Sequence, residues 1–407
     1  MLPSLIHEKS RVLAPLLIDF RRDLHRHPEL SNREFRTAEK VAARLGQLGI
    51  PCRTGVAKTG VVALLEGDQP GPTVAVRADM DALPIEETLE VPYRSIHAGV
   101  KHACGHDVHT AMVLGVAEVC ASLKGQIRGR IKFLFQPAEE GAPAGEDGGA
   151  YLMRDEGVLK NPDVGAIFGV HVSPTLEAGK AGYHTGPVWA SNDGLEIVIL
   201  GKKTHGAYPH TGIDAIAVAA QVQIALQTLV NRTVDVQDPL LISFGIVEGG
   251  NQFNVIADRV RLGGMFRTLN PALRAAAPAR IEQVVKGVTE GFGAGYTIAI
   301  NPGAPVTMNH PALVAMAIPL LEEVAGRENV VLQKPQMGAE DFAVFAELVP
   351  AFYLMLGVRN EQKGITEMLH TPGFDVDEDA IPLGVEMMSR LVFQYLENSL
   401  LNGKVEF

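Results

Sequence analysis

A chain of 407 residues exceeds a single small binding module and leaves room for two or three domains at roughly 150 residues each. Apolar residues make up 46% and charged residues 20%, which excludes a disordered chain, and no apolar run of about 18 residues marks a membrane-spanning helix. A net charge of −11 argues against the clustered Lys and Arg on which nucleic-acid binding rests, so neither nucleic acid nor a membrane is an expected partner.

Taken in chain order, residues 1–20 mix acidic and basic groups in an amphipathic helical pattern with no basic leader, long apolar stretch or cleavage site, which points to a cytoplasmic protein. Cys52, Cys104 and Cys120 are too few and too odd in number for a disulfide framework, and Cys52 and Cys120 are expected to be small buried residues. Helical spacing over 37–48 and 110–123 alternates with β-rich runs over 61–66, 73–78, 129–136 and 166–172. That alternation predicts an α/β fold with a mostly parallel sheet and helices on its faces. Between 187 and 303 the order becomes strand (194–202), helix (213–231), strand (240–248), strand (259–269), helix (272–291), strand (296–301), the split β-α-β-β-α-β unit of ferredoxin-like domains. The expected organisation is therefore a catalytic domain from 1–186 and 304–407 with a lid inserted at 187–303. A helix over 311–325, a strand over 352–356 and a helix over 381–401 complete the catalytic part.

The candidate chemistry follows the strands. Asp79 and Asp81 come after the second run, Glu139 and Glu140 after the third, His171 near the end of the fourth, and His370 in the loop beyond 352–356. Ligands of open α/β sheets bind at the carboxyl ends of strands, so these segments are placed to converge. Cys104 and His106, one residue apart, supply a thiolate and an imidazole. Glu140, His171 and His370 complete a mixed S/N/O set suited to Zn, Mn, Co or Ni. Five ligands exceed one tetrahedral site, which implies two divalent metal ions and a metal-bound hydroxide as nucleophile. Side chains of adjacent residues point apart, so Glu140 can ligate while Glu139 serves as general base. Asp81 is placed to orient a histidine ligand.

Blander alternatives stand beside each assignment. His171 between valines is by default a core histidine, Cys104 a small buried residue, and Glu139-Glu140 a solvated turn. His102 and His109 are expected to be structural, with His109 capping a helix that begins at Thr110. His25, His27, His97 and His310 are expected on the surface or in loops.

The motifs Arg77-Ala78-Asp79-Met80-Asp81-Ala82-Leu83-Pro84, Ala103-Cys104-Gly105-His106-Asp107, Gln136-Pro137-Ala138-Glu139-Glu140-Gly141, Gly169-Val170-His171-Val172 and Leu369-His370-Thr371-Pro372 are together highly specific. They resemble the amidohydrolase branch of the dinuclear-metal aminoacylase and glutamate carboxypeptidase superfamily, which includes hippurate and auxin-conjugate hydrolases. The resemblance covers essentially the whole chain, including Met337-Gly338-Ala339-Glu340-Asp341-Phe342 and His205-Gly206-Ala207-Tyr208-Pro209-His210. It implies that Cys104, His106, Glu140, His171 and His370 hold metal and that Glu139 is the base. It also implies that His205 stabilises the oxyanion in a neighbouring subunit's site and that Asn254 and Arg267, with Glu340, bind substrate, which makes a homodimer or homotetramer the expected assembly. The wider superfamily has a histidine where Asp79 stands and an aspartate where His106 stands, so the chain departs from it at both positions.

The expected activity is hydrolysis of the amide bond of a small-molecule N-acyl amino acid, hippurate-like or N-acetylated, with Arg267 selecting a free α-carboxylate. Its nearest rival is a metallo-carboxypeptidase or dipeptidase acting on small peptides. More distant are a hydrolase with Cys104 as nucleophile and His106 or His109 as base, and a non-catalytic ligand-binding protein.

Overall fold

The computed structural model describes residues 2–401. The chain forms two units, one comprising residues up to Gly186, Met308–Lys334 and the chain from Val344 onward, the other Pro187–Thr307 with Pro335–Ala343. The short segment Pro335–Ala343 thus groups with the insert rather than with the flanking chain.

The first unit is built on an eight-stranded sheet. Its early strands are β1 (Cys52–Val56), β2 (Gly60–Glu66), β3 (Gln69–Asp79), β4 (Arg128–Gln136) and β5 (Ala166–Glu177). Their order is β1-β2-β4-β3-β5, followed by Ala351–Arg359, Ala181–Tyr183 and Val330–Leu332. The centre is parallel, with β3 between β4 and β5 and with β5 beside Ala351–Arg359. Antiparallel strands flank it: β2 against β4 and Ala181–Tyr183 against Ala351–Arg359. Central strands covered on both faces need apolar side chains at successive positions. Ile131, Phe133, Leu134 and Phe135 in β4 and Phe352, Tyr353, Leu354 and Leu356 later are accordingly buried. Cys52 lies on the edge strand β1 and is exposed, not buried as expected, because an edge strand has a neighbour on one side only.

Helices α1 (Leu2–Arg26), α2 (Phe35–Gln47) and α3 (His106–Ser122) belong to the same unit. Helix α3 is buried on nearly every face, as a helix without a polar stripe must be. It begins at His106, four residues before the start that its apolar spacing suggests. Gly105 makes this possible: its φ of +88° is a conformation that side chains rarely adopt, and a Cβ there would lie 2.4 Å from Val172 Cγ2. The polar first turn lacks apolar periodicity and so reads as loop, yet His106, Asp107 and His109 are all buried.

In the second unit the strands Leu240–Gly249, Arg259–Thr268, Asp193–Leu200 and Gly295–Asn301 form an antiparallel sheet in that spatial order. With helices Ala215–Thr233 and Pro271–Gly291 between them in sequence, this is the expected ferredoxin-like arrangement. Asp214 and Asn270 cap the two helices by accepting from the amides of Ile216 and Ala217 and of Ala272 and Leu273. The helices bury Val222, Leu226, Ile281 and Val285 in a core with Ile197, Val260 and Phe266 of the sheet. Among the described residues no helix is long and apolar enough to cross a membrane.

Candidate metal centre

The parallel strands of the first unit deliver their ends to one place. Asp79 closes β3, Gln136 closes β4, and His171 in β5 lies opposite Met355 of the neighbouring strand. The turn after β4 carries Glu139 and Glu140, and the loop entering α3 carries Cys104 and His106. His370 arrives from the loop beyond Ala351–Arg359, where its amide donates to Ala103 O at 2.8 Å and so holds it beside Cys104. Ala138 and His370 have positive φ, +48° and +61°, without being glycine. Such strain persists only where the surroundings impose it, and it concentrates at functional sites.

Cys104 Sγ lies 3.5 Å from His171 Nε2 and 3.4 Å from His370 Nε2. Donor atoms of Cys104, His106 and His171 lie within 4.8 Å of one another, as do those of Cys104, Glu140 and His370 and those of His106, Glu139 and Glu140. Cys104 belongs to the first two groups, so two three-donor clusters share one sulfur. The imidazoles are oriented from behind. His106 Nδ1 donates to Asp81 Oδ1 at 3.0 Å and His171 Nδ1 to Val172 O at 2.7 Å, which turns each Nε2 toward the cluster. The other oxygen of Asp81 accepts from Ser31 Oγ at 2.7 Å and from the Glu140 amide at 3.0 Å. Asp79 is held otherwise: Arg77 donates to Oδ2 and His109 Nδ1 to Oδ1, both at 2.7 Å.

The electrostatics are unbalanced. Burial opposes a charge on His106, yet Asp79, the hydrogen bond to Asp81 and Glu140 outweigh it and raise its pKa to about 10. Burial, then Glu140, Glu139 and Asp79, push the Cys104 thiol well above the usual range. Burial also holds His171 well below the ordinary histidine value. His106 Nε2 and Glu140 Oε1 are buried without a hydrogen-bond partner. Acidic excess, orphaned donor atoms and a shared sulfur are what a buried cation would satisfy, and the thiol, imidazole and carboxylate set suits divalent transition metals.

Several buried groups escape sequence reasoning. His109 does not cap a helix. Its Nε2 accepts from the Val172 amide at 2.9 Å and its Nδ1 serves Asp79, so neither nitrogen is available as a base for a Cys104 nucleophile. His25 is not on the surface but fully buried, donating from Nδ1 to Asp107 at 2.8 Å and from Nε2 to Glu87 at 3.0 Å. Arg21, on the same helix, reaches Asp107 at 2.7 Å and Asp375 at 2.9 Å. The helical i, i+4 spacing of Arg21 and His25 was the only available signal of a shared face.

The remaining predicted residues lie in the second unit. His205 is exposed on a two-residue strand paired with Val255–Ile256, and Gly206 N donates to Asn254 O at 2.7 Å, so His205 and Asn254 are neighbours. Arg267 is half-buried, donating from a terminal nitrogen to Met337 O at 2.8 Å, and burial lowers its pKa. Among the described residues no carboxylate pairs with it. Glu340 is buried and accepts from the Phe342 amide at 2.9 Å.

Comparison with known proteins gives a concordant result. The model of peptidase family M20/M25/M40 matches residues 75–394. Thermostable carboxypeptidase 2 of Saccharolobus solfataricus is 38% identical over 93% of this chain and 95% of its own. The N-acetylcysteine deacetylase of Bacillus subtilis is 37% identical over 94% of this chain and 97% of its own. The crystal structure of the Bacillus subtilis YxeP protein, a dinuclear metal binding peptidase from the M20 family, superimposes with a TM-score of 0.83 at 34% identity, covering 95% of this chain and 99% of that one.

Proposed function

Because the chain belongs to peptidase family M20/M25/M40 and is a hydrolase of that family, we propose that it cleaves the amide bond of N-acyl amino acids at the Cys104 cluster, with Glu139 as general base. The observation that carries this is the sharing of Cys104 between the His106-His171 and Glu140-His370 groups, with Glu139 beside them.

Cys104, His106, Glu140, His171 and His370 would hold two divalent ions. When bound, these supply Lewis acidity and lower the pKa of water. Cys104 is a ligand and not a nucleophile: it sits among three imidazoles and a carboxylate. Asp81 fixes the tautomer of His106 and, through the Glu140 amide, the turn that bears both glutamates. Glu139, about nine-tenths buried, takes the proton of the attacking water and returns it to the leaving nitrogen.

In the second unit, the guanidinium of Arg267, which pairs with no carboxylate among the described residues, recognises the substrate's α-carboxylate, with Asn254 and Glu340 as further substrate contacts and His205 as the oxyanion donor. The strand Leu240–Gly249 lies at the edge of its sheet, paired on one side only, with Leu241, Ile246 and Val247 exposed. An edge so long and apolar calls for a partner strand, which supports a homodimer or a dimer-based tetramer through this unit. The three free cysteines fit a reducing, cytoplasmic setting.

The name of the Saccharolobus solfataricus relative supports a second activity, carboxypeptidase action on small peptides, which the same carboxylate recognition would serve. A panel of acetyl, benzoyl and indoleacyl amino acids set against dipeptides decides between them. Turnover confined to dipeptides would overturn the first assignment.

A further inference from the structure

We propose that Glu34 is the positioning residue of the general base, holding Ala138 in the left-handed conformation that presents the next side chain, Glu139, to the reacting groups. The proposal deepens the assignment of Glu139 as base and rests on it.

Glu34 is fully buried just before α2. Its Oε1 accepts from the Ala138 amide at 2.9 Å and from the Asn32 amide at 3.0 Å, and its Oε2 accepts from Thr59 Oγ1 at 2.5 Å. Among the described residues no cation pairs with it. Burial and the nearby charge of Asp81 therefore push its pKa up to about 7. A carboxylate buried beside an already acidic cluster is a costly way to hold a loop. What it holds gives a reason. Ala138 is buried with φ +48°, a conformation that costs an L-residue other than glycine, and its carbonyl accepts from the Gly149 amide at 3.1 Å.

The strained residue is thus fixed at both its donor and its acceptor, with the carboxylate as the partner of its N–H. The same segment reaches the other side of the base. Ser31 donates to the Asp81 oxygen that accepts the Glu140 amide. The Pro137–Ala138 peptide and the Glu139–Glu140 peptide, which bracket the segment bearing the base, are therefore both tied to residues 31–34, the first directly through Glu34 and the second through Asp81 and Ser31. Since Asp81 also orients His106, the direct Glu34 link is the one that reaches this turn without touching a histidine ligand.

The test is the kcat and KM of Glu34→Ala and Glu34→Gln, with bound metal measured on each. Glu34→Ala is expected to lower kcat by about tenfold or more, with KM and metal content within about twofold. Glu34→Gln keeps an oxygen for the Ala138 amide and is expected to stay within about threefold of wild type. Adding Ala138→Gly to Glu34→Ala removes the conformational cost, and part of kcat is expected to return. If Glu34→Ala does not fold, Glu34→Asp, which retains the charge but withdraws the oxygens from the amide, takes its place. Wild-type kcat in the variant, or a loss accompanied by metal loss and not recovered by Ala138→Gly, overturns the proposal. Glu139→Gln separates the two levels: if it abolishes turnover while Glu34→Ala is fully active, only the positioning role fails. If Glu139→Gln retains full turnover, the assignment of the base fails and takes this inference with it.

Discussion

Two buried charged clusters meet at consecutive residues, His106 and Asp107, and they solve the same problem differently. On the Asp107 side, Arg21 is almost completely buried yet faces Asp107, Asp375 and Glu378, while His25 lies between Asp107 and Glu87. The protein supplies both signs of charge there. On the His106 side, Asp79, Asp81, Glu139, Glu140 and Cys104 surround three imidazoles, against which Arg77, bound to Asp79, sets one guanidinium. A buried cluster that balances itself is scaffold, whereas one that does not calls for something the chain lacks, which in the proposed function is a pair of divalent cations.

The comparison breaks most visibly at Glu139. Glu139→Gln should leave metal content unchanged and lower kcat by about 10²–10⁴-fold, since it removes the proton shuttle and no ligand. Steady-state kinetics with elemental analysis of the same sample checks this, and an active variant would return Glu139 to the scaffold. Arg21→Met should act in the opposite sense. By leaving Asp107 and Asp375 without their cation it should cost about 3–5 kcal/mol of stability, measured by denaturant unfolding, and a cost below about 1 kcal/mol would show that the self-balanced cluster is dispensable.

Asp81→Asn sits on the border between the two. It should weaken metal binding by about 10–100-fold, read by competition with a chelating dye, because His106 loses its fixed tautomer. Arg267→Ala should raise KM for carboxylate-bearing substrates by about tenfold or more and leave uncharged analogues unaffected, as a lost charge-assisted hydrogen bond requires. A smaller effect concerns pH. In the metal-free protein His106 keeps its proton up to about pH 10, so a bound cation must displace it. Apparent metal affinity should therefore rise with pH, by up to about tenfold per unit for each proton released, and calorimetry in buffers of different ionisation enthalpy should detect that release. Affinity independent of pH between 6 and 9 would contradict the protonation assigned to His106.

The unbalanced cluster was legible in the sequence because its members are chemically conspicuous and each follows a strand. Cys104-Gly105-His106, Glu139-Glu140, His171 and His370 needed only the parallel topology to bring them together. The second unit was legible because its strands and helices keep clean periodicities. The balanced cluster was not. Arg21 and Asp107 are 86 positions apart and Arg21 and Asp375 are 354 apart, and an arginine or histidine on an amphipathic helix reads as solvent-facing until its partners are located. Glu34 was missed for the same reason, since its partner is the amide of Ala138, a group that every sequence position possesses. The start of α3 was misplaced because its first turn buries polar side chains, which apolar periodicity does not register.

The most direct test of the central claim is the number of metal ions bound per chain. Protein stripped with a chelator, reloaded with Zn or Mn and freed of excess should carry about two ions per chain and regain the activity that stripping removed. Cys104→Ser should lower that number, because both clusters share its sulfur. Full turnover in the stripped protein, or a metal content near zero after reloading, would contradict the account.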